Sequence, residues 1–211
     1  MVKITKEELK SILERHGKWL NEEDGGERAE LPQANLTDAD LKDIVLASAD
    51  LSGANFSGAD LTGADLTGAE LKDAIFRGAD LTWARLTRAN LQCADFSDAD
   101  LSYTKLNGAN LERATLCSAH FGASHFSNAN LRGANFKEAI LKNVDFLEGD
   151  LTDANFTGAA FTNADFWHAT LKGANFKNAN LEGAKLEFAD LKGAKNIPLK
   201  NKISGLKLFN K

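Results

Sequence analysis

Branched apolar residues are nearly missing: the 211-residue chain has 3 Val and 7 Ile beside 32 Ala and 29 Leu. Large apolar side chains are therefore few, and any core is thin or finely divided. There are only two cysteines, which excludes a disulfide framework, and the spacing of Cys93 and Cys117 matches no zinc pattern. No apolar run approaches the ~18 residues of a membrane span, and Met1 to Arg15 has no signal-peptide apolar stretch. Nor is there an excess of basic charge: a net −5 argues against a general nucleic-acid binder. What remains is the expectation of a soluble, cytoplasmic protein of single architecture, with no membrane and no direct nucleic-acid partner.

What is present is a beat of five. From Leu31 to Leu191, all 33 positions at steps of five are Leu or Phe, without an insertion or deletion. Two residues before each stands a small residue, Ala in 28 of the 33, and the residue between is Asp or Asn in 20. Ala and Leu favour helix by propensity, but five residues advance a helix by about 500°, so successive Leu side chains would spiral over every face. A flat strand fails too, because an odd step alternates faces. A short extended segment followed by a corner satisfies the pattern: Ala and Leu point inward, the Asp or Asn between them points out, and the next two residues turn. Turning the same way each time makes an all-β solenoid.

The number of sides is readable as well. Phe56, Phe76, Phe96, Phe136, Phe156 and Phe176 are spaced by multiples of twenty, and Ile44, Thr104, Ser124 and Val144 fall in one twenty-residue class of the inward small position. Like side chains stack best directly above one another, so a period of twenty means four sides and slightly more than eight coils. At ~4.8 Å per layer the rod is roughly 40 Å long.

The run Ala-(Asp/Asn)-Leu-X-X over residues 29 to 191 resembles the pentapeptide-repeat proteins. The resemblance implies a right-handed quadrilateral β-helix with a narrow, filled interior. Most members of that family have no known biochemical activity; the best characterised, the quinolone-resistance proteins, bind DNA gyrase as acidic rods that mimic B-DNA.

A solenoid needs caps. We divide the chain into an N-terminal capping helix and linker (1–28), the repeat β-helix (29–194) and a C-terminal tail that caps or dimerises (195–211). Thr5 and Glu8 form a capping-box pattern; Leu9, Ile12, Leu13, Trp19 and Leu20 recur on one helical face, and Gly25-Gly26 stops the helix. This reads as a lid over the first coil, with a membrane-surface or partner-binding helix as the rival.

Residues 30–191 hold 13 basic and 23 acidic side chains, a net charge of −10. Asp40, Asp60, Asp80 and Asp100 share one twenty-residue class and form an outward acidic ladder. The ladder is either a phosphate-like stripe or a sign that Asp is simply the commonest residue at that position. Arg77, Arg85 and Arg88 dilute it.

Enzymes need convergent polar groups in a concavity. Cys117, His120 and His125 share a coil, with Asp100 beneath His120, but project from three different sides. We therefore expect no enzyme, no metal and no cofactor. The exposed aromatics point to a candidate interaction surface: Trp83 should stack on Tyr103, Leu147 on Trp167 and His168 on Phe188. The expected function is a non-enzymatic protein-binding rod of unknown partner, with a DNA-gyrase binder as the alternative. A homodimer through the C-terminal third is also open.

Overall fold

The computed structural model describes residues 2–198. Its organising feature is a parallel pairing of each bridging residue with the one twenty further on, from Glu30 with Asp50 to Asn175 with Lys195. Turns recur every five residues, so four five-residue units separate paired positions. The chain thus builds a β-helix of stacked layers.

One unit shows how the pattern is held. The Leu36 amide donates to the Asn55 carbonyl (2.8 Å) and Asp38 to Ser57 (2.9 Å), while Asn55 returns a bond to Ala34 (2.9 Å). Within the unit, the Ala39 amide closes a turn on the Leu36 carbonyl (3.2 Å). The third residue of all 33 corners, from Gln33 to Gly193, has a positive φ, the conformation that a type II turn requires there. Eleven of these are Gly; the other twenty-two include Asn, Asp and several bulky residues.

The Asp or Asn before each Leu has a structural task. Its Oδ1 accepts the amide two residues on, as Asp50 does from Ser52 (3.0 Å) and Asn55 from Ser57 (3.0 Å). These are Asx turns, which fix the corner that follows. Asparagines also bond from layer to layer, Asn130 donating to Asn110 and Asn155 to Asn135, both at 2.9 Å.

Inside, every central Leu or Phe from Leu31 to Leu186 is buried. Phe56, Phe76 and Phe96 stack at 4.8 and 4.7 Å with planes within 3°. Towards the C-terminus three Phe columns meet, as where Phe156 and Phe161 touch edge to face at 4.9 Å. The buried hydroxyls of Thr104 and Ser124 both donate to the Leu101 carbonyl, Ser124 at 2.8 Å, so neither is an unpaired polar group in the core.

At the amino end, β1 (Val2–Lys3) pairs in parallel with β2 (Ala34–Asn35) and covers part of the first layer's edge. Helix α1 (Lys6–Leu20) follows, with the capping box of Thr5 and Glu8 in place. Its inward face corrects the sequence reading. Leu9, Ile12 and Leu13 pack on the core as expected, but Trp19 and Leu20 are exposed and His16 is fully buried. Positions 9, 12, 13 and 16 form one stripe at helical pitch; Trp19 and Leu20 continue it by one turn but stand exposed at the end of the helix, where the chain folds back. Trp19 instead stacks on the His16 ring (5.5 Å). At the other end, Ala189, Leu191, Ala194 and Ile197 are only half-buried. Residues 199–211, most of the tail assigned as a cap or dimer contact, lie outside the described residues.

Candidate interaction surface

The twenty-residue period places the candidate surface residues in columns. Trp83 and Tyr103 are third residues of successive corners in one column and stack face to face, ring centres 4.2 Å apart and planes within 6°. Both are exposed, at 59% and 46%. Arg85 and Lys105, two residues further along each layer, pair as neighbours on the adjoining side.

The second group lies towards the C-terminus. His168 and Phe188 stack at 5.0 Å and 10°. Trp167 stands edge-on to His168 (4.0 Å) and to Phe188 (6.3 Å), so the three rings form one cluster. Phe188 is the most exposed large apolar side chain described, at 73%. Leu147 occupies the layer beneath Trp167 and is half-buried; the Glu148 amide donates to the Trp167 carbonyl (3.0 Å).

The acidic ladder is also in register: Asp40 pairs with Asp60, Asp60 with Asp80, Asp80 with Asp100, and Asp100 with His120. Each carboxylate is tied to its own corner. Asp40 accepts from the Lys42 amide (3.4 Å), Asp60 from Thr62 (2.9 Å), Asp80 from Thr82 (2.8 Å) and Asp100 from Ser102 (2.8 Å). Hydrogen bonding from the Thr62 side chain and amide holds the Asp60 carboxyl below its usual range. The Asx turn supplies a structural reason for Asp or Asn at this position.

Cys117, His120 and His125 do not converge. The Cys117 thiol points to the Asn135 carbonyl (3.8 Å) and His125 Nδ1 to Asp145 (3.9 Å), each across to the next layer. Burial pushes the Cys117 thiol up, away from the thiolate a nucleophile needs. Among the described residues no three His, Cys, Asp or Glu side chains are placed to hold a metal ion. No helix of the described residues is long and apolar enough to cross a membrane. A cleft of about 440 Å³ lies between α1 and the first layer, lined by Val2, Ile4, Glu8, Ile12, Leu31 and Pro32 among others.

Comparison with known proteins follows the same repeat. The family described as pentapeptide repeats matches in eight copies over residues 29–68, 54–92, 64–102 and 94–124, and the pentapeptide repeat region family matches residues 119–195. The chain belongs to the pentapeptide-repeat family. One solved pentapeptide-repeat protein is HetL, involved in heterocyst differentiation regulation in the cyanobacterium Nostoc sp. strain PCC 7120. It shares 33% identity over 79% of this chain and 80% of its own, with a TM-score of 0.25. A trypsin-treated form of QnrB1, a plasmid-mediated fluoroquinolone resistance protein, shares 23% identity over 81% of this chain and 86% of its own, with a TM-score of 0.45. No curated protein matches the chain.

Family membership accounts for the Ala, Leu and Asp columns but not for the aromatics at the corners. Three features of this pentapeptide-repeat chain were not foreseen from its sequence. These are the buried His16, the edge strand Val2–Lys3, and the ring cluster formed when Trp167 turns edge-on to its neighbours. Only the first carries a signal, the spacing of His16 from Leu9, Ile12 and Leu13.

Proposed function

We propose that this pentapeptide-repeat protein is a non-enzymatic, rigid scaffold that binds other proteins in the cytoplasm. In its finer form, the fold is a right-handed quadrilateral β-helix of about eight coils; the pairing of residues twenty apart supports four sides. The observation that carries the functional reading is the exposed cluster of Trp167, His168 and Phe188 on a rod whose interior is filled by its own side chains. Aromatics are over-represented at binding hot spots, and a nearest-neighbour solenoid presents them on a stiff, flat face.

Contact through the side bearing Leu147, Trp167, His168 and Phe188 includes self-association. Sedimentation velocity of the full chain beside a Trp167→Ser/Phe188→Ser double variant tests this. A complex or dimer that dissociates in the variant, with the melting temperature kept, supports the surface; unchanged association removes it.

A second reading, a DNA-gyrase binder, is favoured by the in-register column of Asp40, Asp60, Asp80 and Asp100. The same preparation in a gyrase supercoiling assay separates the two readings. Inhibition that is lost in Asp60→Asn/Asp80→Asn supports the mimic, and no effect at stoichiometric excess eliminates it.

A further inference from the structure

The corner of Trp83 and Tyr103 gathers two choices that work against folding beside cations with little local use. Trp83 and Tyr103 sit at φ 64° and 61°, a left-handed conformation that is an outlier for bulky residues and that eleven other corners give to Gly. On the adjoining side, Arg85 and Lys105 stack one layer apart, like charge above like charge. Finally, Lys105 and the exposed Arg88 make no ion pair among the described residues, and the Arg85 guanidinium reaches only Asp65, at 3.8 Å. This occurs on a stretch holding 23 acidic side chains against 13 basic. Local rules broken together at one place mark a site held for function rather than stability.

The shape of the corner says what it accepts. Gly63 and Ala123 occupy the layers on either side of the two rings, so neither offers a ring to cover the outer faces of the Trp83–Tyr103 stack. On the side that adjoins this corner Arg85 and Lys105 stand one above the other, and Arg88 occupies the corner at that side's far end. We propose that this side of the rod is a docking surface for an acidic segment of another protein, carboxylates on Arg85, Lys105 and Arg88 and an aromatic side chain against the open face of the stack. Charge complementarity selects such a partner. Asp80 and Asp100 line the other flank of the same corner, which confines an acidic segment to the Arg85–Lys105 side. It also disfavours a nucleic acid, whose phosphates run on continuously past both flanks. The proposal deepens the scaffold reading, on which it rests, by giving a second surface and its partner's chemistry.

The test uses the full chain and a short fluorescein-labelled peptide of glutamate with two phenylalanines, read by fluorescence polarisation at low salt. The wild type binds this peptide; Trp83→Gly/Tyr103→Gly weakens it ~10-fold or more, and Arg85→Glu/Lys105→Glu abolishes binding. Because Gly suits a positive φ, the glycine variant keeps a melting temperature near that of the wild type, which separates lost binding from lost fold. Failure of the wild type to bind the acidic peptide overturns the proposal. So does equal or tighter binding of the lysine analogue or of single-stranded oligothymidylate. Acidic-peptide binding that survives both corner variants but is lost in Trp167→Ser/Phe188→Ser overturns this placement and leaves the scaffold reading standing.

Discussion

At the scale of single residues, the chain solves one problem 33 times: how to turn a corner after two inward side chains. The third corner residue is always left-handed, and Gly meets that demand without strain, yet two corners in three use something else. The corners are not equivalent, because a Cβ added at Gly78 meets nothing within 4 Å whereas one at Gly58 meets the Asp38 carboxylate of the layer below. Gly78→Ala therefore costs only the left-handed penalty, roughly 1–2 kcal/mol, and Gly58→Ala costs more. Removing the carboxylate in Asp38→Ala/Gly58→Ala brings the glycine penalty back to that of Gly78→Ala. Urea unfolding of these variants checks the ordering; equal losses at both glycines would show that the exposed Asp38 carboxylate swings clear of the added methyl group.

At the scale of elements, the amino-terminal cap couples a helix to a titrating group. His16 is fully buried, and its Nδ1 accepts the Ala29 amide (3.1 Å). Burial lowers its pKa from the usual 6.5, with Arg28 adding to the effect and the Ala47 backbone opposing it. A lowered folded-state pKa means that the native cap binds fewer protons than the unfolded chain. The contribution of neutral His16 is thus complete above about pH 6.5 and is lost as pH falls through the lowered value. The Glu8 carboxyl, held down by hydrogen bonds from the Thr5 backbone and hydroxyl, adds a loss at lower pH. In acid the helical signal at 222 nm should fade before the β signal does, and His16→Gln should move that loss to lower pH. Identical acid profiles for the two proteins would remove His16 from the account.

The same element shows what the sequence could reveal. Thr5 and Glu8 mark the start of the helix because a cap acts locally, whereas Gly25-Gly26 lie beyond its end, which Asn21 and the left-handed Glu22 close. Gly26 is required because the chain folds back over the helix, where a Cβ would lie 2.6 Å from the Trp19 Cα. The inward face was misread because Trp19 and Leu20 are apolar and His16 is not. Apolarity alone does not report which way the last turn points once the linker packs on it. The β-helix itself was legible to the residue, since a fixed five-step in Leu and Phe permits few geometries. The stacking of Trp83 on Tyr103 and of His168 on Phe188 followed from the twenty-residue period. The edge-on turn of Trp167 did not, because rotamers are set by neighbours rather than by period.

At the scale of the whole molecule, every surface described here depends on one relation: twenty residues of chain equal one layer. The acidic column, the aromatic–basic corner and the C-terminal ring cluster exist only because residues far apart in sequence stand directly above one another. Nitroxide labels test this relation with a ruler. Asp38, Asp98, Glu138 and Asn178 are exposed third-corner residues of a single column, 60, 100 and 140 residues from the first. With Cys93 and Cys117 replaced by Ser, pulsed electron-resonance distances from position 38 to the other three should be about 14, 24 and 34 Å, at ~4.8 Å per layer. Distances that fail to grow linearly with sequence separation, or that approach the about 90 Å a continuous helix would place between the first pair, would contradict the stacked-layer account and every surface built on it.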